Sequence, residues 1–281
     1  MTGPRIAVVT IAHGRHEHLR GQGWGLAHQT RPADDYVVVA MGDTDIAAVA
    51  REQHPDALVV ELAADPADLP LAEARNCGAE AAIAAGADVL VFLDVDCIPE
   101  PSLVQRYAAV LAAGAGRTPL VACGEVAYLP PAPHPVAYRT PDLAERAAPH
   151  PARPAPARDA VLGAGDVRLF WSLSFALTSA DWTALGGFDA AYSGYGAEDT
   201  DFGQRLAAAS GELVWVGGAA AYHQHHTSEV PPVRHLHSIV RNANVFRDRW
   251  GWYPMEGWLS EFEARDLAEL DATTGRWRVR T

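Results

Sequence analysis

The chain has 281 residues, of which 49% are hydrophobic and 20% charged, enough for one large α/β domain or two small ones. A formal net charge of −13 argues against a nucleic acid or an anionic membrane as partner. No apolar run approaches the roughly 20 residues that span a bilayer, and residues 1–20 lack a secretory signal pattern, so we expect a cytoplasmic protein without a transmembrane segment.

Strand and helix patterns alternate along the first 94 residues. Strands are predicted at 5–12, 36–41, 57–62 and 89–94, and helices at 16–29, 45–53 and 71–85. Alternation of this kind predicts a parallel sheet wound with helices on both faces. In such sheets ligands bind at the carboxyl ends of the strands.

The composition changes in the segment 129–158, which is crowded with prolines. We interpret it as a mobile loop over a site, without regular elements of its own. The core resumes with a strand at 171–179. Further predicted elements are a helix at 198–209, short strands at 213–215 and 219–222, and C-terminal helices at 235–249 and 256–270. The expected organisation is one domain, 1–232, with a helical extension, 233–281, packed on it.

Two carboxylates, Asp94 and Asp96, lie at the end of a strand predicted to be buried. Burying charged groups is costly unless something compensates them. Carboxylate oxygens at this place are suitable ligands for Mg²⁺ or Mn²⁺. A similar pair, Asp43 and Asp45, fits an ordinary turn that leads into a helix.

The second group of candidate residues lies in a glycine-rich stretch, 186–206, where Glu198 and Asp199 fall in the first turn of a helix. Acids are favourable at that helix end, and a carboxylate there could also serve as a general base. Downstream, His223, His225 and His226 form a histidine cluster that favours a mixed aspartate and histidine metal site. The zinc hydrolase pattern HExxH is absent from the segment.

Five segments resemble those of GT-A glycosyltransferases of the family-2 type, and the C-terminal half resembles the galactosyltransferase and N-acetylgalactosaminyltransferase branch. They are VVTIAHGR (8–15), VVVAMGDTD (37–45), EARNCG (73–78), FLDVDCIPEP (92–101) and GGFDAAYSGYGAEDTDFGQRL (186–206). The last is the longest and most specific. The resemblance implies the GT-A (Rossmann-like) fold, a mostly parallel sheet with helices on both faces and a short helical C-terminal extension.

The resemblance also implies a role for each matching residue. Metal ligands would be Asp94, Asp96 and His223; donor contacts Thr10, Ala12, Asp43, Arg75 and Asp94; catalytic residues Asp199, as base if the reaction inverts, and Glu198; and acceptor contacts Trp171 and Glu198. The implied activity is transfer of a hexose from a nucleoside-diphosphate donor, with UDP as the expected nucleotide and Mn²⁺ or Mg²⁺ as cofactor. The acceptor would be a hydroxyl-bearing glycan or small natural product.

Two alternatives share parts of this pattern. A sugar-nucleotidyltransferase has a similar sheet and an acid-bound metal, but its glycine-rich opening is missing here, because the segment after the first strand contains only Gly14. A non-catalytic protein of the same fold could bind nucleotide sugars or carbohydrates through its tryptophans. A dinucleotide-binding dehydrogenase is excluded, since no GxGxxG follows a strand.

Overall fold

The computed structural model describes residues 3–114 and 118–280. The strands are β1 (Ile6–Ala12), β2 (Asp35–Met41), β3 (Leu58–Leu62), β4 (Val89–Leu93), β5 (Cys97–Pro99), β6 (Leu120–Tyr128), β7 (Ala148–Pro149), β8 (Val161–Leu162), β9 (Ser174–Thr178), β10 (Glu212–His223), β11 (Ala268–Asp271) and β12 (Arg276–Val279). The helices are α1 (His16–Ala27), α2 (Ile46–Arg51), α3 (Leu71–Ala84), α4 (Leu103–Gly114), α5 (Leu143–Arg146), α6 (Ser179–Leu185), α7 (Glu198–Ala208), α8 (Leu236–Trp250) and α9 (Glu256–Ala264).

One large sheet organises the fold, with the strand order β3-β2-β1-β4-β9-β6-β10-β5. The first four of these strands run parallel to one another, and β6 is parallel to β10. The strand β9 is antiparallel to both its neighbours, β4 and β6. The sheet is therefore mixed: its first four strands are parallel, as the sequence predicts, and β5, β7, β8 and β9 add antiparallel pairings. The carboxyl ends of β1 and β4 lie at the same edge.

Both faces of the sheet are buried. Along β1, Ile6 and Val8 belong to one hydrophobic cluster, while Ala7 and Val9 belong to another on the opposite face. This alternation follows from the period of two in a strand. It explains why β1 and β4 read as continuous apolar runs instead of alternating polar and apolar residues.

The proline-rich segment 129–158 differs from its prediction, because it contains regular elements. These are the short helix α5, a 3₁₀ turn at Pro135–Tyr138, and β7, which pairs with β6. Tyr138 and Leu143 anchor the segment: they are 1% and 3% exposed and pack in a cluster with Ile98 and Tyr222. Burial of these two side chains gives the segment a defined path, which a composition dominated by proline does not reveal.

Two other elements differ in extent. The strands predicted at 213–215 and 219–222 form one strand, β10, whose pairing with β6 shifts between Val216 and Ala221. Gly218 has a φ of 74° in this irregularity, which glycine adopts without strain. The helix predicted at 256–270 ends at Ala264, and the following residues form the antiparallel hairpin β11–β12.

The C-terminal elements contact the region just before α7. The Asn242 side chain in α8 donates hydrogen bonds to the backbone oxygens of Ser193 and Gly196, both at 2.9 Å. The Arg249 side chain donates to the fully buried Asp201 at 2.8 Å. These contacts hold the glycine-rich turn before α7 against α8. None of the described helices combines the length and the apolar character needed to cross a bilayer.

Candidate active site

Asp96 lies between β4 and β5, at the edge of the sheet where ligands are expected. The strand β5 pairs antiparallel with β10, which sets His223 opposite Cys97 and therefore beside Asp96. The distance from His223 Nε2 to Asp96 Oδ1 is 3.5 Å, and from His226 Nε2 to Asp96 Oδ2 it is 3.3 Å. His225 is exposed and lies outside this group.

Asp96, His223 and His226 could hold a metal ion. One ligand atom from each lies within 4.8 Å of the others, and a carboxylate with two imidazoles suits Mn²⁺. Burial lowers the pKa of His223, which favours the neutral imidazole that binds metals. Burial opposes ionisation of Asp96, but the hydrogen bond with His226 and the charges of His223 and Arg15 lower its pKa below the ordinary value. Both shifts favour the deprotonated, metal-binding forms.

Asp94 lies in a different environment, next to a buried arginine. The guanidinium of Arg75, in α3, contacts Asp94 Oδ1 and Glu198 Oε1, each at 3.2 Å, and the arginine is 5% exposed. Burial raises the pKa of Asp94 to about 6, against the opposing charge of Arg75. The structure thus brings together Asp94, Arg75 and Glu198, whereas Asp94 is outside the group of Asp96 and the two histidines.

The turn before α7 presents two carboxylates. Gly194, Gly196 and Ala197 all have positive φ values, 68°, 98° and 75°, which gives the tight approach that the glycines predict. Glu198 is 6% exposed, and its Oε2 has no hydrogen-bond partner among the described residues. Asp199 Oδ1 accepts hydrogen bonds from the backbone N–H and the hydroxyl of Thr200, at 2.7 and 3.3 Å.

The pKa of Asp199 is raised to about 7, first by burial and then by the neighbouring negative charge of Glu198. A carboxylate with a pKa near neutrality is suited to accept a proton in catalysis. Glu198 is therefore a buried acid with a free carboxylate oxygen, and Asp199 is a second acid whose charge changes near pH 7.

The residues predicted to contact a nucleotide differ in accessibility. Thr10 is 1% exposed, and its hydroxyl contacts two acceptors, Gln22 Oε1 at 2.8 Å and the Leu93 carbonyl at 3.0 Å, so its proton is already used inside the protein. Ala12, at the end of β1, is also 1% exposed. Asp43 Oδ2 accepts a hydrogen bond from the Gly14 N–H at 2.8 Å.

Asp43 also takes part in a second acidic and histidine group. His16 Nε2 lies 2.9 Å from Asp43 Oδ2, and His16, Asp43 and Asp45 each offer a ligand atom within 4.8 Å of the others. Asp45 in this group is exposed. Burial opposes ionisation of Asp43, but its hydrogen bonds with the Gly14 N–H, His16 and the Asp45 N–H lower its pKa below the ordinary value. The two backbone contacts fit the turn that the sequence predicts.

Trp171, the predicted acceptor contact, is partly buried. Its ring meets the His150 ring edge to face, with centroids 4.8 Å apart, and the Arg153 guanidinium lies over it at 5.2 Å. Both neighbours come from the proline-rich segment.

Two residues of the site were not selected from the sequence. Arg15, whose Nη1 lies 3.3 Å from Asp96 Oδ2, follows β1 in a left-handed conformation with a φ of 54°. His226 was one of three histidines that sequence alone could not separate. Because β10 ends at His223, the alternation of side chains along a strand gives no guide to which of the later histidines faces Asp96.

A known protein family matches the part of the chain that contains several of these residues. The family described as "N-terminal domain of galactosyltransferase" matches residues 165–228, which include Glu198, Asp199, His223 and His226. Two curated relatives are named validoxylamine A glucosyltransferase, from Streptomyces hygroscopicus subsp. limoneus and subsp. jinggangensis. Each is 32% identical in an alignment of 234 positions that covers 72% of this chain. The match covers 48% and 51% of those relatives, so the chain spans about half their length.

Solved structures show the same fold at low sequence identity. S. aureus TarS 1-349 matches with a TM-score of 0.56 and 13% identity over 87% of this chain and 66% of that one. GalNAc-T7 with UDP, GalNAc and Mn²⁺ matches with a TM-score of 0.57 and 14% identity over 94% and 57%. These findings confirm the resemblance seen in the sequence: the chain has the GT-A glycosyltransferase fold, and its sequence relatives are glycosyltransferases.

Proposed function

We propose that the protein is a metal-dependent glycosyltransferase of the hexosyltransferase type, which transfers a sugar from a UDP-sugar to an acceptor hydroxyl. The observation that carries this proposal is the convergence of His223 and His226 on Asp96, at 3.5 and 3.3 Å. Arg75 links Asp94, two residues before Asp96, to Glu198 of α7. Support comes from the relatives named glucosyltransferase and from neighbours of the same fold solved with UDP, in one case also with Mn²⁺.

Asp96, His223 and His226 would hold the Mn²⁺ or Mg²⁺ ion, since their donor atoms are of the right kind and within 4.8 Å of one another. A divalent cation at this place would stabilise negative charge on the leaving diphosphate. Arg15 adds a fixed positive charge to the same region, 3.3 Å from Asp96. Because the chain has a net charge of −13, local positive groups are needed for a diphosphate to approach.

Arg75 has a positioning role in this proposal. It holds Glu198 through Oε1 and leaves Oε2 without a partner among the described residues. A buried carboxylate oxygen with no donor is destabilised until a donor arrives. An acceptor hydroxyl would supply that donor, and Glu198 would thereby orient the acceptor.

Asp199 would act as the general base if the reaction inverts the sugar configuration. Its pKa of about 7 places its ionised form within the physiological range. It would then take the proton from the attacking hydroxyl as the new bond to the sugar forms. The adjacent Thr200 contacts fix the carboxylate through one oxygen and leave the other for this role.

The proposal is tested by incubating the purified protein with UDP-glucose, UDP-galactose and UDP-N-acetylgalactosamine, with and without Mn²⁺, and measuring released UDP. We expect metal-dependent UDP release from at least one donor, increased by a hydroxyl acceptor. A sugar-nucleotidyltransferase would instead release pyrophosphate from a nucleoside triphosphate and a sugar phosphate. A pure binding protein would release neither product, and that result would contradict the proposal.

A further inference from the structure

Arg153, in the proline-rich segment, is a buried cation without a partner. It is 7% exposed, and its Nε, Nη1 and Nη2 have no hydrogen-bond partner among the described residues. Its guanidinium lies over two indole rings, 5.2 Å from the centroid of Trp171 and 4.7 Å from that of Trp215. Within the described part of the chain, it is the only arginine whose three guanidinium nitrogens are all buried and unpartnered.

Other arginines in this part of the chain have carboxylate partners. Arg158 and Arg146, in the same segment, form ion pairs with Glu100 and Asp142. Arg168 is exposed and paired with Asp166 at 2.8 Å. A chain with 35 acidic and 22 basic residues has carboxylates in excess, yet none of them reaches Arg153.

Stacking on the two indole rings does not satisfy the hydrogen-bond donors of the Arg153 guanidinium. Cation–π contact uses the faces of the guanidinium plane. The five N–H donors lie in that plane and point outward from its edge, where only a hydrogen-bond acceptor can satisfy them. A planar fork of donors matches phosphate and carboxylate groups in particular, because each can accept two parallel hydrogen bonds.

An aromatic row connects Arg153 with the candidate metal group. It consists of Trp171, His150 and Tyr128: the His150 ring is 4.8 Å from Trp171 and 5.7 Å from Tyr128. Tyr128 lies in turn 4.9 Å from the ring of His223. The row runs over β6 and its pairing partner β7, whereas the predicted nucleotide contacts Thr10 and Asp43 lie on the side of β1 and β2.

We infer that Arg153 recognises an oxyanion, a phosphate or carboxylate group, carried by the acceptor. The inference rests on the proposed function and adds the chemical class of the acceptor to it. An acceptor that extends from the candidate active site along the aromatic row brings its far end to Arg153. The donor diphosphate is held separately, at the metal group.

The experiment measures oxyanion binding to protein already saturated with UDP and Mg²⁺, so that the donor-phosphate site is filled. Thermal shifts are recorded against inorganic phosphate and, in a second arm, acetate, because binding of a ligand to the folded state raises its melting temperature. The variants are Arg153→Met and the matched control Arg168→Met. We expect a saturable shift in the wild type and in Arg168→Met, and an affinity reduced at least about tenfold in Arg153→Met.

The phosphate and acetate titrations distinguish two kinds of acceptor. A thermal shift with phosphate alone indicates a phosphorylated acceptor, and a shift with acetate alone indicates a carboxylated acceptor. Without oxyanion, Arg153→Met should melt no lower than the wild type, since removing an unpaired buried charge relieves its desolvation. A purely structural arginine would lower the melting temperature on removal and leave the phosphate shift unchanged. That result, or equal shifts in both variants, would overturn the inference.

If Arg153→Met does not fold, Arg153→Lys keeps the charge and removes the planar fork. Weaker phosphate binding in that variant supports the inference, and unchanged binding contradicts it. The UDP titration that precedes each experiment distinguishes the two proposals. A wild type that binds no UDP contradicts the proposed function, whereas one that binds UDP but no oxyanion contradicts only the assignment of Arg153.

Discussion

Substitution of Asp199 by asparagine gives the sharpest prediction about catalysis. Asparagine preserves the shape and can still accept the two hydrogen bonds from Thr200, but it cannot take a proton. If Asp199 is the base, turnover should fall at least about 100-fold. In the wild type, a pKa of about 7 predicts that kcat/KM rises about tenfold from about pH 6 to about pH 8, because the base is mostly protonated at the lower pH.

The same raised pKa predicts an effect on stability with the opposite pH dependence. The unfolded chain ionises Asp199 near its ordinary value of 3.8, whereas the folded protein holds the proton up to about pH 7. Stability is therefore lost as the pH rises between these values, by about 1.4 kcal/mol per pKa unit and at most about 4 kcal/mol in total. Asp199→Asn should consequently be more stable than the wild type at pH 8 and equally stable near pH 4.

Urea unfolding of the wild type and of Asp199→Asn at both pH values measures this difference, and release of UDP measures turnover. Asp201→Asn provides the contrast, because Asp201 is buried but paired with Arg205 and Arg249 and should lose stability. An inactive Asp199→Asn variant that is also less stable at pH 8 would refute the reasoning. A wild-type kcat/KM that is flat across this pH range would refute it independently.

Two further predictions concern the groups around the candidate site. His226→Ala should weaken Mn²⁺ binding at least about tenfold in calorimetry, while the control His225→Ala leaves it unchanged, because His226 lies beside Asp96 and His225 is exposed. Equal effects of the two substitutions would contradict the assignment. Arg75→Met should lower the free energy of unfolding by roughly 3–5 kcal/mol near neutral pH, because it leaves Asp94 and Glu198 without their buried partner. A denaturation midpoint equal to that of the wild type would show that Arg75 is not needed to compensate these carboxylates.

Much of the sheet could be predicted from local sequence patterns. The strands β1, β2 and β4 are almost entirely apolar and buried, as such runs indicate. The edge strand β3 is partly exposed and contains Glu61. The tight path before α7 was predicted from its glycines, and all four, at positions 186, 187, 194 and 196, have positive φ values. These features depend on a few adjacent residues, so the sequence alone contains their physical cause.

Features that depend on distant residues were not predicted. The proline-rich segment takes its path from the burial of Tyr138 and Leu143 against β6 and β10, which no local pattern specifies. The partner of Asp94 is Arg75, and that of Asp96 is a pair of histidines, although the two acids are separated by a single residue. Their separation follows from the end of β4 and the pairing of β5 with β10, which are long-range properties of the sheet.

The direct test of the central claim is calorimetric titration of UDP into wild-type protein and Asp96→Asn, each with Mn²⁺ and with a chelator. We predict that Mn²⁺ tightens UDP binding to the wild type at least about tenfold and has no such effect on Asp96→Asn, because the carboxylate between His223 and His226 is needed to hold the ion. Equal UDP affinity of the wild type with Mn²⁺ and with chelator would contradict a bridging metal at this site.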